Sequence, residues 1–287
     1  MYITRTICSK YSCRHAYNSF NSSWKIHFRK LSDQSPSLIQ DCQTYLNYCK
    51  INQVNLDTPV FRGTFYELYL LHFLQDYLHC RNLMKVGGAY DNGIDILGKW
   101  NLNHFYQRSD VFKSAKEKSS KIPTTSLLKQ AIEVSDPTTS KSSISLENDI
   151  NILVQCKNSS KKITAKVIRE LTGIYYYHIN GGALKSPSAT KTLISTHYLF
   201  LVSPTRLTPQ GIAQLDQSQI PIIHMRIDPL QHNPNKSIDE DSVYKLENWD
   251  IGGQLYSIYL NTVARKLLTG LKLELQLEAL IKQTFLN

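Results

Sequence analysis

An α/β fold, with a mixed β-sheet flanked by helices, follows from three features of the 287-residue sequence. Apolar runs of strand length recur at 152–157, 197–203 and 221–227. Between them, the stretch 164–178 repeats its apolar residues at three- and four-residue steps, the period of a helix, and 208–217 opens with the helix cap Thr208-Pro209. A glycine-rich turn also separates two short strand-like runs between Met84 and Trp100. Strands alternating with helices in this way build a sheet covered by helices.

Taken in order, residues 33–57 are polar and mixed, and their short helical pieces between Leu38 and Ile51 are expected to pack on the outside. Thr58-Pro59 then reads as a helix cap followed by proline at the first helical position. Phe65, Leu68, Tyr69, Leu71, His72, Phe73 and Leu78 give the helix that follows a broad apolar stripe, so it is buried. The run from Met84 to Trp100, with Asp91-Asn92-Gly93 at its turn, predicts a hairpin whose second strand is Ile94 to Trp100. Residues 101–149 are rich in Ser, Thr and Lys and read as a long, largely mobile insertion.

Order returns with the buried strand Ile152 to Lys157, and a helix from about Thr164 carries Val167, Ile168, Leu171, Ile174, Tyr175 and His178 on its apolar face. A strand at 197–203, a helix capped by Thr208-Pro209 and a strand at 221–227 complete the sheet. Residues 231–248 look like a surface excursion, and 255–285 read as an amphipathic helix or helix pair broken at Gly270. The expected division is therefore a core domain over 58–230 and a C-terminal helical extension over 231–287.

Composition narrows the function. Hydrophobic residues make up 41% and charged residues 20%, too apolar for whole-chain disorder. The longest apolar stretches, 198–202 and 220–223, fall far short of the roughly 18 residues a membrane helix needs. The six cysteines form no C-x-x-C pair, which argues against a disulfide scaffold or a zinc finger. His72, His79 and Cys80 are close in sequence, but on a half-apolar helix such residues are more often packed than ligating.

The net charge of +10 is unevenly spread. The first 32 residues hold Arg5, Lys10, Arg14, Lys25, Arg29 and Lys30 and no acid, the composition of a mitochondrial transit peptide. The remainder carries 27 basic minus 23 acidic residues, or +4, which permits contact with nucleic acid without demanding it.

The chemistry lies in two anomalies. Gln155 and Lys157 are two apart on one strand and so share a face, and a lysine inside an apolar strand asks for an anion. Asp95, between Ile94 and Ile96, makes the opposite demand. One reading joins Asp95 and Lys157 as a buried ion pair between neighbouring strands. The other has Asp95 and the Gln155 carbonyl oxygen hold a divalent metal, with Lys157 beside an attacking water.

Gly87-Gly88, Gly93-Ile94-Asp95-Ile96, Val154-Gln155-Cys156-Lys157 and Arg169-Glu170-Leu171-Thr172-Gly173 follow one another in an order that resembles a known family. It is similar to the Mrr-type branch of restriction-endonuclease-like PD-(D/E)xK nucleases, in the D…QxK form. Behind a mitochondrial-type leader, the chain looks like the fungal mitochondrial family named for being required for respiratory growth, member seven.

The resemblance covers roughly 58–228 and implies a restriction-endonuclease-like mixed sheet and Mg2+- or Mn2+-dependent cleavage of mitochondrial DNA. It implies that Asp95 is the metal-binding carboxylate, that Gln155 stands where most relatives have Glu or Asp, and that Lys157 is the catalytic lysine. Glu67 matches the acidic residue that the family's first helix turns toward the metal. A capping box Thr64-x-x-Glu67 is the competing reading of Glu67, but Thr58-Pro59 is the better helix start.

The amide of Gln155 removes one negative charge from the metal site, which Glu67 would restore. Asp91 is a further candidate, although Asp-Asn-Gly is a strong turn sequence. Lys99, Lys161, Lys162, Lys166 and Arg169 are candidates for phosphate contact. Tyr175-Tyr176-Tyr177 point in three directions on a helix, so one or two pack in the core. The competing functions are a nuclease, a nuclease-fold factor that binds DNA or protein without cutting, and an accessory factor for mitochondrial gene expression.

Overall fold

The computed structural model describes residues 36–86, 93–108, 126–127, 144–180, 194–236, 239–271 and 273–286. Six strands form the main sheet: β1 (Cys80–Lys85), β2 (Ile96–Trp100), β3 (Asn151–Cys156), β4 (His197–Ser203), β5 (Ile222–Ile227) and β8 (Leu255–Leu260), in the order β1-β2-β3-β4-β5-β8. β3, β4 and β5 run parallel to one another, while β1/β2, β2/β3 and β5/β8 are antiparallel. β6 (Leu230–Gln231) and β7 (Ile251–Gly252) pair separately.

The parallel crossovers are made by α4 (Ala165–Asn180) and α5 (Pro209–Gln217). Successive crossovers advancing the same way across a sheet put their helices on one face. Accordingly Ile168, Leu171 and Tyr175 of α4 and Leu215 of α5 pack with Leu153, Leu199 and Leu201. Tyr175 is fully buried and donates to His197 O at 2.8 Å, while Tyr177 is exposed, as the tyrosine run predicts.

The opposite face is covered by α2 (Pro59–Leu78), α6 (Thr262–Leu267) and α7 (Leu273–Leu286). Tyr66, Leu70, Phe73 and Leu74 of α2 pack with Ile152, Val154, Phe200, Val202 and Met225. Thr58 caps α2, accepting from Phe61 N–H at 3.2 Å, with Pro59 in the first turn. At the other end His79 adopts φ +55° and turns the chain into β1.

Two expectations are corrected. The segment before Thr58 is not an external addition: α1 (Cys42–Ile51) buries Cys42, Tyr45, Leu46 and Cys49 against Phe61, Phe65, Leu68 and Trp249. These last residues form a second apolar side of α2, which is why its stripe is so broad. The C-terminal part is not a purely helical extension either, because Leu255–Leu260 is the edge strand β8.

The buried Asn261 side chain fixes this corner of the fold with four hydrogen bonds. It accepts from Ile222 N–H and Ala264 N–H and donates to Leu215 O and Ile220 O. Of the insertion expected at 101–149, the described parts join the core. Leu102, Phe105 of α3 (Asn103–Arg108), Leu127, Leu146 and Ile150 are all buried there, and Ser126 Oγ donates to Thr269 O at 2.7 Å. Residues 109–125 and 128–143 lie outside the described residues, as does the expected transit peptide at 1–32.

β5 also carries a buried histidine. Ser203 Oγ donates to Thr205 O, so the hydroxyl oxygen receives the His224 Nε2 proton across 3.1 Å. Burial, assisted by the charge of Arg226, lowers the His224 pKa from 6.5 to about 4. The unfolded chain therefore takes up a proton that the folded chain refuses, and the stability present above pH 6.5 is lost as pH falls toward 4. The loss expected is about 3 kcal/mol. Melting temperatures between pH 7 and pH 4 should fall in the wild type, and His224→Gln should flatten that interval. An unchanged pH slope in the variant would show that other groups carry the acid sensitivity.

Candidate functional site

β3 lies between the two helical layers, so Ile152, Leu153 and Val154 are apolar on both faces. Its polar end faces Asp95. Asp95 N–H donates to Val154 O at 2.9 Å as β2 departs from β3. The next N–H along β3, that of Cys156, has no β2 carbonyl opposite and donates to Asp95 Oδ2 at 2.6 Å. Gln155 Nε2 donates to the same carboxylate oxygen. Asp95 is only 5% exposed, and these charge-assisted bonds offset the cost of burying its charge.

Gly93 makes this approach possible. Its φ is +78°, and a Cβ there would run into the Ile174 side chain of α4. Only glycine accommodates both the backbone angle and the contact. Gly87, Gly88 and Asp91 lie outside the described residues.

Lys157 follows the last residue of β3, and its N–H donates to Val202 O at 2.8 Å. Its side chain is half-buried, and among the described residues it makes no ion pair. The expected buried Asp95–Lys157 ion pair is thus corrected. Two N–H donors serve the carboxylate, and a partly hydrated lysine at a strand end needs no counter-ion.

The buried lysine of this region is Lys85, the last residue of β1. Its side chain is 5% exposed, with Nζ 3.5 Å from Glu67 Oε2. Gln40 holds the Lys85 backbone from the open edge of β1: Lys85 N–H donates to Gln40 Oε1 at 2.9 Å, and Gln40 Nε2 donates to Lys85 O at 3.5 Å. Glu67 sits well inside α2, so the Thr64-x-x-Glu67 capping box is set aside in favour of the Thr58 cap.

Sequence reasoning missed both Lys85 and Gln40. Lys85 carried a signal, since it lies between Leu83-Met84 and Val86 as Lys157 lies beyond Val154. Gln40 carried none, because its role depends on a partner 45 residues away.

These charges all act on Cys156. Its thiol pKa is raised well above the ordinary value, first by burial and then by Asp95 and Glu67, while Lys157 and Lys85 lower it. Asp95 and the Gln155 amide meet at the end of β3, and Glu67 and Lys85 meet at the end of β1.

The peripheral cations divide. Lys161 and Lys162 are exposed in the loop that leaves β3 on this side of the sheet. Lys166 and Arg169 are exposed on the first turns of α4, the former 3.8 Å from Glu170 and the latter donating to Gln214 Oε1 at 3.2 Å. Lys99 is placed elsewhere: it is aligned with Asn151 at the far end of β3, and its Nζ donates to Asn148 O. Four residues of strand separate it from Asp95, roughly 13 Å. Of the five cations expected to contact phosphates, Lys99 is thus the one set at the opposite end of the strand from Asp95.

Cys80 is buried with Sγ directed at Leu78 O, and no group of three His, Cys, Asp or Glu side chains suited to an ion occurs among the described residues. No described helix is long and apolar enough to cross a membrane.

Comparison with known proteins gives the lineage. A family model described as Required for respiratory growth protein 7 matches residues 58–268. Among curated relatives, the mitochondrial Required for respiratory growth protein 7 of Vanderwaltozyma polyspora is 32% identical over 216 residues, covering 75% of this chain and 78% of the relative. That of Lachancea thermotolerans is 32% identical over 227 residues, 77% of each chain, and that of Kluyveromyces lactis 28% over 230 residues, 79% of this chain and 86% of the relative. No solved structure matches the chain significantly. The matched region takes in α2, the whole six-stranded sheet and α6, and on that match this mitochondrial chain belongs to the Required for respiratory growth protein 7 family.

Proposed function

We propose that the protein is a metal-dependent nuclease with a restriction-endonuclease-like sheet, cleaving phosphodiester bonds of mitochondrial DNA and so serving genome maintenance and respiratory growth. The observation that carries this reading is the Asp95 carboxylate. It is held by Cys156 N–H and the Gln155 amide at the end of β3, with Lys157 the next residue along the chain.

Mg2+ prefers oxygen donors, commonly one or two carboxylates completed by water. The residues present fit such an ion: Asp95 and, after a half-turn of its amide, Gln155 Oε1 would hold it. Bound there, Mg2+ or Mn2+ offsets the charge that develops on the phosphate in hydrolysis. Lys157 orients the attacking water and stabilises its deprotonated form, and Lys161, Lys162, Lys166 and Arg169 hold flanking phosphates.

One observation favours a second reading, a nuclease-fold factor that binds DNA or a protein partner in mitochondrial gene expression without cutting. Gln155 Nε2 donates directly to Asp95, so the amide itself answers part of the carboxylate's demand for donors. A carboxylate at Gln155 would leave Asp95 in need of a cation.

A cleavage assay separates the two. The purified protein with Mg2+ or Mn2+ should nick plasmid DNA or degrade linear DNA, and Lys157→Ala should slow this at least about a hundredfold. Its stability should stay within about 0.5 kcal/mol of wild type, as for other substitutions outside the packed core. Wild-type protein that binds DNA but cuts no substrate under any metal condition would leave the binding factor.

A further inference from the structure

We infer that Lys85 takes at Glu67 the place of a divalent cation, so that Glu67 is no metal ligand and the ion is left to Asp95 and Gln155. The inference rests on the proposed metal site, and it departs from the role that the resemblance implies for Glu67. Three observations support it. The Lys85 ammonium is almost wholly removed from water, and a buried lysine persists only with a charge partner. That partner is Glu67, at 3.5 Å, whose own side chain is 18% exposed. The Lys85 backbone is gripped in both directions by Gln40, so the ammonium is delivered to Glu67 by a fixed strand end.

A carboxylate already paired with a buried ammonium contributes little net negative charge to a nearby ion. Lys85 is thus a positioning residue, acting on the site through Glu67. The loss of charge that Gln155 brings to the site is then not made good, and the site is a weak one that depends on substrate oxygens and water to complete the coordination of its ion.

The test uses the full chain and Mn2+ alone, with binding read by calorimetry and by the metal-induced shift in melting temperature. The deciding variant is the double substitution Lys85→Met with Glu67→Gln. It replaces an ion pair by neutral groups of similar shape and so keeps the fold where either single change strands a charge. The double variant should bind Mn2+ within about threefold of wild type, because a neutral pair has replaced a neutralised one.

Lys85→Met alone should bind Mn2+ at least about tenfold tighter, equivalent to 1.4 kcal/mol from the released carboxylate, with its lowered melting temperature recovering as Mn2+ is added. Mn2+ binding weakened tenfold or more in the double variant would overturn the inference and make Glu67 a ligand, leaving the nuclease reading intact. So would a Lys85→Met protein that gains no affinity. Binding that survives unchanged in Asp95→Asn, or that is absent from wild type and Lys85→Met alike, would overturn this inference and the proposed metal site together.

Discussion

Asp95→Asn should abolish metal-dependent cleavage while leaving a folded protein, and Asp95→Ala should lose both. The distinction comes from the two N–H groups at Oδ2. Asparagine keeps an acceptor oxygen for Cys156 N–H and the Gln155 amide, and gives up only the charge assistance, about 1–2 kcal/mol. Alanine leaves both donors buried and unmet at roughly 1–3 kcal/mol each, a large part of the 5–15 kcal/mol that holds a typical domain folded.

Cleavage responds to charge rather than to hydrogen-bond count. Losing the carboxylate removes several kcal/mol of metal-borne stabilisation, at least about a hundredfold in rate. Thermal melts beside a plasmid assay read the two effects separately. An Asn variant cutting at the wild-type rate would remove Asp95 from the metal, and an Ala variant melting like wild type would show that the buried hydrogen bonds contribute little.

The difference between what sequence and structure disclose is one of range. β3, β4, β5, α4 and α5 were legible because strand-length apolar runs, a three-to-four residue period and a Thr-Pro helix cap are local properties. The facing of Asp95 and Gln155 was legible too, since antiparallel neighbours with matched polar residues at a strand end meet on pairing. β8 was absorbed into the helical tail because Leu255 to Leu260 is a short run that fits either period, beside a long helix-forming stretch. The signal that could have separated it is Gly252-Gly253, both at positive φ and one residue short of the strand. α1 displayed its spacing of Cys42, Tyr45, Leu46 and Cys49, but only the second apolar side of α2 makes it part of the core. The Lys85–Glu67 pair was hidden for the same reason: a helix and a distant strand end meet only in the folded chain.

Truncation tests how deeply that leading segment belongs to the domain. A chain beginning at residue 33 should melt cooperatively, with a midpoint close to that of the full chain, because none of the described packing is removed. A chain beginning at residue 58 should not. It uncovers Phe61, Phe65, Leu68 and Trp249, which α1 now buries with Tyr45, Leu46 and Cys49. At about 1.5–3 kcal/mol for each large apolar side chain the loss is several kcal/mol, again a large share of a domain's stability. Polar ties go with it: Gln43 accepts from Leu246 N–H at 2.8 Å and donates to Tyr244 O at 3.0 Å, and Gln40 is the clamp on Lys85. The shorter chain should therefore associate through its exposed aromatic face and lose its sharp thermal transition, as read by calorimetry and light scattering. A monomeric 58–287 fragment with a wild-type melt would return residues 33–57 to the surface and free Lys85 from any dependence on Gln40.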